Sequence, residues 1–248
     1  MTSHRPTRRT FLAAATAAGV GTAVAGCLDG GLFGSPGATD DVVLDPPDEY
    51  DQLREARDAD ALVHPIHGDE LPEATVPAPL ADRTITTTEF VGERHVLLTF
   101  VFTRCPGVCL MLTANLAQVQ ADAIAQGYTD EVALFPVTFD PVYDTPAVLR
   151  DYEDARGADR TVGNWFFLRP ETEQQAKEVV EDRFGVFFDP LSPEEREEME
   201  MHENMAFQHL AVIMLANADG YVERTYVGAQ IPNPGALVED VRTLRERW

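Results

Sequence analysis

Two cysteines four residues apart, Cys105 and Cys109, are the side chains best placed to do chemistry in this chain. Where helical geometry already holds between them, that separation brings both sulfurs to one face. Paired thiols bind a soft metal or exchange with disulfides. The alternative is a pair packed as small hydrophobes. An export signal at the N-terminus favours chemistry, because unpaired structural thiols are uncommon in exported proteins. The third cysteine, Cys27, belongs to the leader, so the folded part holds a single possible pair.

The pair sits where a strand hands over to a helix. His95 to Phe102 is an almost unbroken apolar run, the pattern of a strand buried on both faces. Pro106-Gly107 ends it, and apolar residues then recur at helical spacing from Val108 to about Gln126. Val132 to Phe139 reads as a second buried strand. Asp144-Thr145-Pro146 starts a helix that runs to about Arg156. Trp165–Leu168 is a third strand, and Pro170 to Phe184 a helix stopped by Gly185. Phe207–Leu215 and Tyr221–Val227 flank an Asp-Gly turn as an antiparallel hairpin, and Pro232 to Trp248 closes the chain as an amphipathic helix. Thr84 to Thr88 can form a short strand and Tyr50 to Ala59 a short acidic helix. This order predicts an α/β, thioredoxin-like domain over residues 73–248, with a central mixed sheet flanked by helices.

Residues 1–27 have the marks of processing. Arg8-Arg9 precedes a weakly apolar stretch from Ala13 to Gly26, which resembles a Tat signal for export in the folded state. The stretch is too short and alanine-rich for a comfortable membrane span. It ends in Val24-Ala25-Gly26-Cys27, which resembles a lipobox with Cys27 as the lipidated residue; a plain cleaved leader is the alternative. Lipid anchoring on the extracytoplasmic face of the membrane is the expectation. Residues 28–72 are expected to be a flexible acidic tether and extension. Forty-two acidic residues against nineteen basic ones give a charge of −23, and Lys177 is the only lysine. Such a surface stays hydrated in high salt, so a halophilic setting is expected. Nucleic-acid binding is disfavoured, since no basic stripe exists to meet phosphates.

Three segments together resemble the SCO/SenC family of copper-binding, thioredoxin-fold proteins, which help assemble the Cu-A centre of cytochrome oxidases. They are Phe102-Thr103-Arg104-Cys105-Pro106-Gly107-Val108-Cys109, then Thr138 to Pro146 with Leu149, then Gln208-His209-Leu210 with Asp219-Gly220 ten residues on. The likeness runs from about Val76 to the C-terminus. It implies Cys105, Cys109 and His209 as metal ligands, copper as the metal, and the Cu-A subunit of an oxidase as partner. Two soft thiolates and one imidazole suit Cu(I) in trigonal geometry, and Cu(II) with an added oxygen. A site with three protein ligands is open and can pass its metal on. The nearby helix N-terminus and Arg104 favour thiolate over thiol. The chain departs from the family pattern at Gly107 and Gln208, where aspartate is usual, and at Leu110, where proline is usual.

Other donors are less telling. Met199, Met201, His202 and Met205 precede His209 and either capture copper for the site or half-pack as an acidic helix starting at Pro193. His64 and His67 read as loop residues, and His95 as a strand-entrance residue without a chemical role. The rival function is a thiol-disulfide oxidoreductase using Cys105 and Cys109. Thioredoxin-like reductases use a spacing one residue shorter and a proline where Gln208-His209-Leu210 stands here, which favours metal. A copper sensor or buffer remains a third reading.

Overall fold

A computed structural model describes residues 41–59, 61–199 and 204–248. In chain order the elements are α1 (Tyr50–Asp58), β1 (Thr75–Ala78), β2 (Arg83–Thr86), β3 (His95–Val101), α2 (Val108–Gln126), β4 (Val132–Thr138), α3 (Pro146–Asp154) and α4 (Glu173–Lys177). Then follow β5 (Phe188–Pro190), α5 (Pro193–Glu198), β6 (Phe207–His209), β7 (Val212–Ala216), β8 (Val222–Val227) and α6 (Pro234–Arg247). The main sheet has the order β4-β3-β7-β8. β3 and β4 run parallel, and the other two pairings are antiparallel. Every residue of β3, β4 and β7 is buried, as expected of strands covered on both faces. This is the mixed α/β sheet, flanked by helices, that the sequence predicts.

The cysteine-bearing helix α2 has the predicted bounds. Its buried face carries Cys109, Leu112, Leu116, Val119 and Ala123, spaced three or four apart. Gly127 ends it in the left-handed conformation (φ +76°), which glycine adopts without penalty.

Three expectations need correction. Trp165–Leu168 is not a regular strand but two isolated parallel bridges to β4, Leu134 with Trp165 and Val137 with Leu168. Pro136 lies between them and has no N–H to donate, so one ladder bond is lost. The helix expected from Pro170 to Phe184 is α4 followed by a π-helical stretch, Glu178–Arg183. Phe207–Leu215 is not one strand either. Leu210 N–H still bonds Phe187 O beside β5, whereas Ala211 O already accepts from Gly228 beside β8. The chain therefore changes partners between residues 210 and 211.

The boundary at residue 73 does not mark where packing starts, because residues 41–44 and 61–72 lie against the domain. Leu44 is buried, and the N–H groups of Val43 and Leu44 donate to the Glu223 carboxylate at 2.8–3.0 Å. Gly68 N–H donates to Val222 O, Val222 N–H to Asp69 O and Leu71 N–H to Gly220 O, so this segment covers the outer edge of the sheet. Gly185 (φ +64°) lets it approach: a Cβ there would lie 2.4 Å from the Val63 carbonyl.

At the start of β3, His95 is 3% exposed, accepts the Ala218 N–H at Nδ1 (3.1 Å) and meets the Trp248 ring edge-on. Burial, aided by Arg245, lowers its pKa to about 4. The unfolded chain therefore takes a proton near pH 6.5 that the folded chain refuses until about pH 4. His95 should thus make stability fall by about 3 kcal/mol as pH drops through that window. Denaturant unfolding between pH 7 and pH 4.5 should show a flatter pH dependence in His95→Asn, which keeps an acceptor for Ala218. Identical slopes in the two proteins would contradict this assignment.

Candidate metal centre

β3 ends at Val101, and the chain turns through Thr103 and Arg104 to deliver Cys105 just ahead of α2. Cys109 follows in the first turn of that helix. Both thiols are free and buried, Cys105 at 2% exposure and Cys109 at 0%. His209 arrives from the opposite side as the last residue of β6, half-buried. One donor atom from each of Cys105, Cys109 and His209 lies within 4.8 Å of the others, the one such group among the described residues. The Cys109 sulfur is 3.5 Å from His209 Nε2.

The imidazole is oriented before any metal is considered. His209 Nδ1 lies 3.2 Å from Leu210 O, and a carbonyl only accepts, so Nδ1 carries the proton in the neutral ring. Nε2 then presents its lone pair to the sulfurs, the arrangement a metal-binding histidine needs. Phe102 meets the ring edge-on at 5.8 Å and Phe139 lies 5.2 Å away, tilted. Phe139 stacks on Phe188 at 4.9 Å, and Phe188 pairs with His209 across the β5–β6 ladder. This aromatic wall shields the donors from water on one side and fixes the ring plane.

The two sulfurs are inequivalent. The Cys109 thiol donates to Cys105 and holds the Cys105 pKa well below the ordinary thiol range; the backbone N–H groups of Cys109 and Gly107 act in the same direction. Burial, and the proton it shares with Cys105, push Cys109 the other way. Gly107 gives α2 no side-chain cap, which leaves first-turn N–H groups such as that of Cys109 to act on the Cys105 sulfur. On the helix side, Cys109 O accepts from Thr113 Oγ1 (3.0 Å) and Tyr152 OH (3.3 Å). Arg104 pairs with Asp140 at 2.9 Å and lies over the Tyr143 ring at 4.6 Å. Nearby, burial raises the Asp144 carboxyl to about 6 although Thr103 and Thr138 donate to it.

The structure thus brings Cys105, Cys109 and His209 together and leaves the other candidates apart. His67 Nδ1 donates to Glu223 O, His64 Nδ1 to Pro65 O, and His95 serves the turn at Ala218. Met205 packs on the core and Met199 is exposed. Met201 and His202 lie outside the described residues, as do Cys27 and the twin arginines. At the departures from the family pattern, a Cβ on Gly107 would meet nothing within 4 Å, Leu110 packs partly on the core, and Gln208 is exposed opposite Asp189. Sequence reasoning missed β5, Phe139 and Phe188 as the histidine's supports. The apolar pair Phe187-Phe188 was the available signal for a strand there.

The SCO1/SenC family model matches residues 80–246. No curated protein matches the chain. Similar solved structures include a SCO1/SenC family lipoprotein from Bacillus anthracis str. Ames, at 23% identity and TM-score 0.57, covering 75% of this chain and 99% of that one. Another is BsSco, a member of the Sco family of cytochrome c oxidase assembly proteins with a disulfide switch (19% identity, TM-score 0.54, 74% and 98% covered). A third is Arabidopsis thaliana ScoI with copper bound (18% identity, TM-score 0.51, 72% and 98% covered). At these identities the neighbours speak for the fold, and the family match supplies the rest: the chain belongs to the SCO1/SenC family of thioredoxin-like, copper-binding proteins.

Proposed function

We propose that this protein is an extracytoplasmic copper chaperone, held at the membrane through Cys27, that loads the Cu-A centre of a cytochrome oxidase. The observation that carries the reading is the meeting of two sulfurs and one imidazole nitrogen within 4.8 Å. That donor set is too soft for magnesium or calcium and suits copper in either oxidation state. The Nδ1–H of His209 bonds Leu210 O and Phe139 packs on the ring, the supports a histidine ligand needs. Three protein ligands leave room for an acceptor's ligand to join before the first ones leave. The twin-arginine leader supports export in the folded state. The BsSco and copper-bound ScoI structures support the oxidase-assembly role by likeness alone.

The test is copper titration of the reduced protein followed by transfer. One equivalent should bind with thiolate-to-copper charge-transfer bands and then move to an apo Cu-A domain. Binding without transfer would favour a buffer or sensor. The second reading, a thiol-disulfide oxidoreductase, draws on the lowered Cys105 and the proton-bearing Cys109 beside it, the asymmetry of a nucleophile and its resolving partner. Insulin reduction that persists without His209, with no copper bound, would decide for it.

A further inference from the structure

Asp144 is buried and gathers the donors that hold the cysteine loop. Its carboxylate accepts the Thr103 N–H (3.2 Å), the Thr103 hydroxyl and the Thr138 hydroxyl (2.5 Å). Thr138 ends β4, whereas Thr103 lies two residues before Cys105. One carboxylate therefore ties the end of β4 to the loop that delivers the first sulfur. Asp144 is itself held, because Arg169 Nε donates to Asp144 O (2.8 Å) and Arg169 Nη2 to Pro141 O (2.7 Å). Both bonds fix the turn from which the carboxylate projects.

Resting on the copper reading above, we propose that Asp144 is a positioning residue for the metal centre, setting where the Cys105 sulfur stands through Thr103. Asp144 touches neither sulfur. It acts because Thr103 cannot shift without giving up two hydrogen bonds to a buried acceptor. Cys109 and His209 stand on α2 and β6, each anchored independently, so a relaxed Thr103 turn moves one donor relative to the other two. Supports of this kind are typically worth about 10- to 100-fold in metal affinity.

The two threonines separate a site effect from a folding effect. Thr138→Val and Thr103→Val each remove one hydroxyl from the same carboxylate, but Thr103 alone adjoins the cysteine. Asp144→Asn keeps the side chain's shape and loses one acceptor oxygen. In the full chain, Asp144→Asn and Thr103→Val should each weaken copper binding about 10- to 100-fold and shift the charge-transfer bands of the copper complex. The double variant should lose little more than either single one. Thr138→Val should lower the unfolding midpoint and leave affinity and bands as in the wild type; Thr103→Ser should restore both. Wild-type-like affinity and bands in folded Asp144→Asn would overturn the proposal, as would Thr138→Val matching Thr103→Val in both readouts. Failure of the unsubstituted protein to bind copper would instead remove the reading beneath it.

Discussion

Replacing His209 with alanine should cost the protein at least about 100-fold in copper affinity, more than losing a support behind a ligand costs. The Cys105–Cys109 pair would remain, since both sulfurs are placed by the β3–α2 junction and not by β6. Two thiolates can still hold Cu(I), so the Cu(I) complex should weaken while the Cu(II) complex fails, Cu(II) being the ion that needs the nitrogen donor. Copper should also stop protecting the variant against heat, because a ligand stabilises only as far as its concentration exceeds its dissociation constant. Folding should survive, because the ring is half-buried and its hydrogen bonds are few, to Leu210 O through Nδ1 and to the Cys109 sulfur at 3.5 Å through Nε2. Titration beside thermal unfolding with and without copper checks both halves. Undiminished Cu(II) binding in the variant would contradict the ligand assignment.

The second large effect lies away from the metal. Glu223 is fully buried and accepts from Val43 N–H, Leu44 N–H and the Asn217 amide at 2.7–3.0 Å. Asn217 donates from the same nitrogen to Asp41 O. Glu223→Ala strands these donors and should cost at least about 3 kcal/mol, since hydrogen bonds to a charged partner are worth more than neutral ones. The strap at residues 41–44 should then detach, and proteolysis ahead of β1 should accelerate. Equilibrium unfolding and limited proteolysis measure the two consequences. A change within about 0.5 kcal/mol, the range of surface substitutions, would show that the strap adds nothing. Copper affinity of the folded variant should not move, because Glu223 lies beside the Asn217 turn that receives the start of β3, whereas the centre lies beyond its end.

What the sequence disclosed followed from local rules. α2 was legible because an apolar helical period runs between two glycines, and β3 and β4 because continuous β-branched and aromatic runs have few other homes. The Thr145 cap was likewise visible as a type in the right place, whereas the Asn233 and Ser192 caps came only with the structure. Pairings between distant segments were not. Cys109 and His209 are one hundred residues apart, and only the family resemblance joined them. The break at Leu210–Ala211 hides inside a continuous apolar run, because a change of partner leaves no mark on composition. The acidic stretch before residue 48 read as a tether because it has few hydrophobes. Glu223 holds Val43 and Leu44 through their backbone N–H groups, which every sequence has and none advertises. The loss of regular strand at Trp165–Leu168 was in principle readable from Pro136, but only once its partner strand was known.

Copper K-edge absorption spectroscopy of the one-equivalent Cu(I) complex, run beside His209→Ala, bears most directly on the centre. The geometry predicts two sulfur scatterers and one imidazole around each copper, with the imidazole signature lost in the variant and both sulfurs kept. A shell with a single sulfur, or an imidazole contribution that persists without His209, would contradict it.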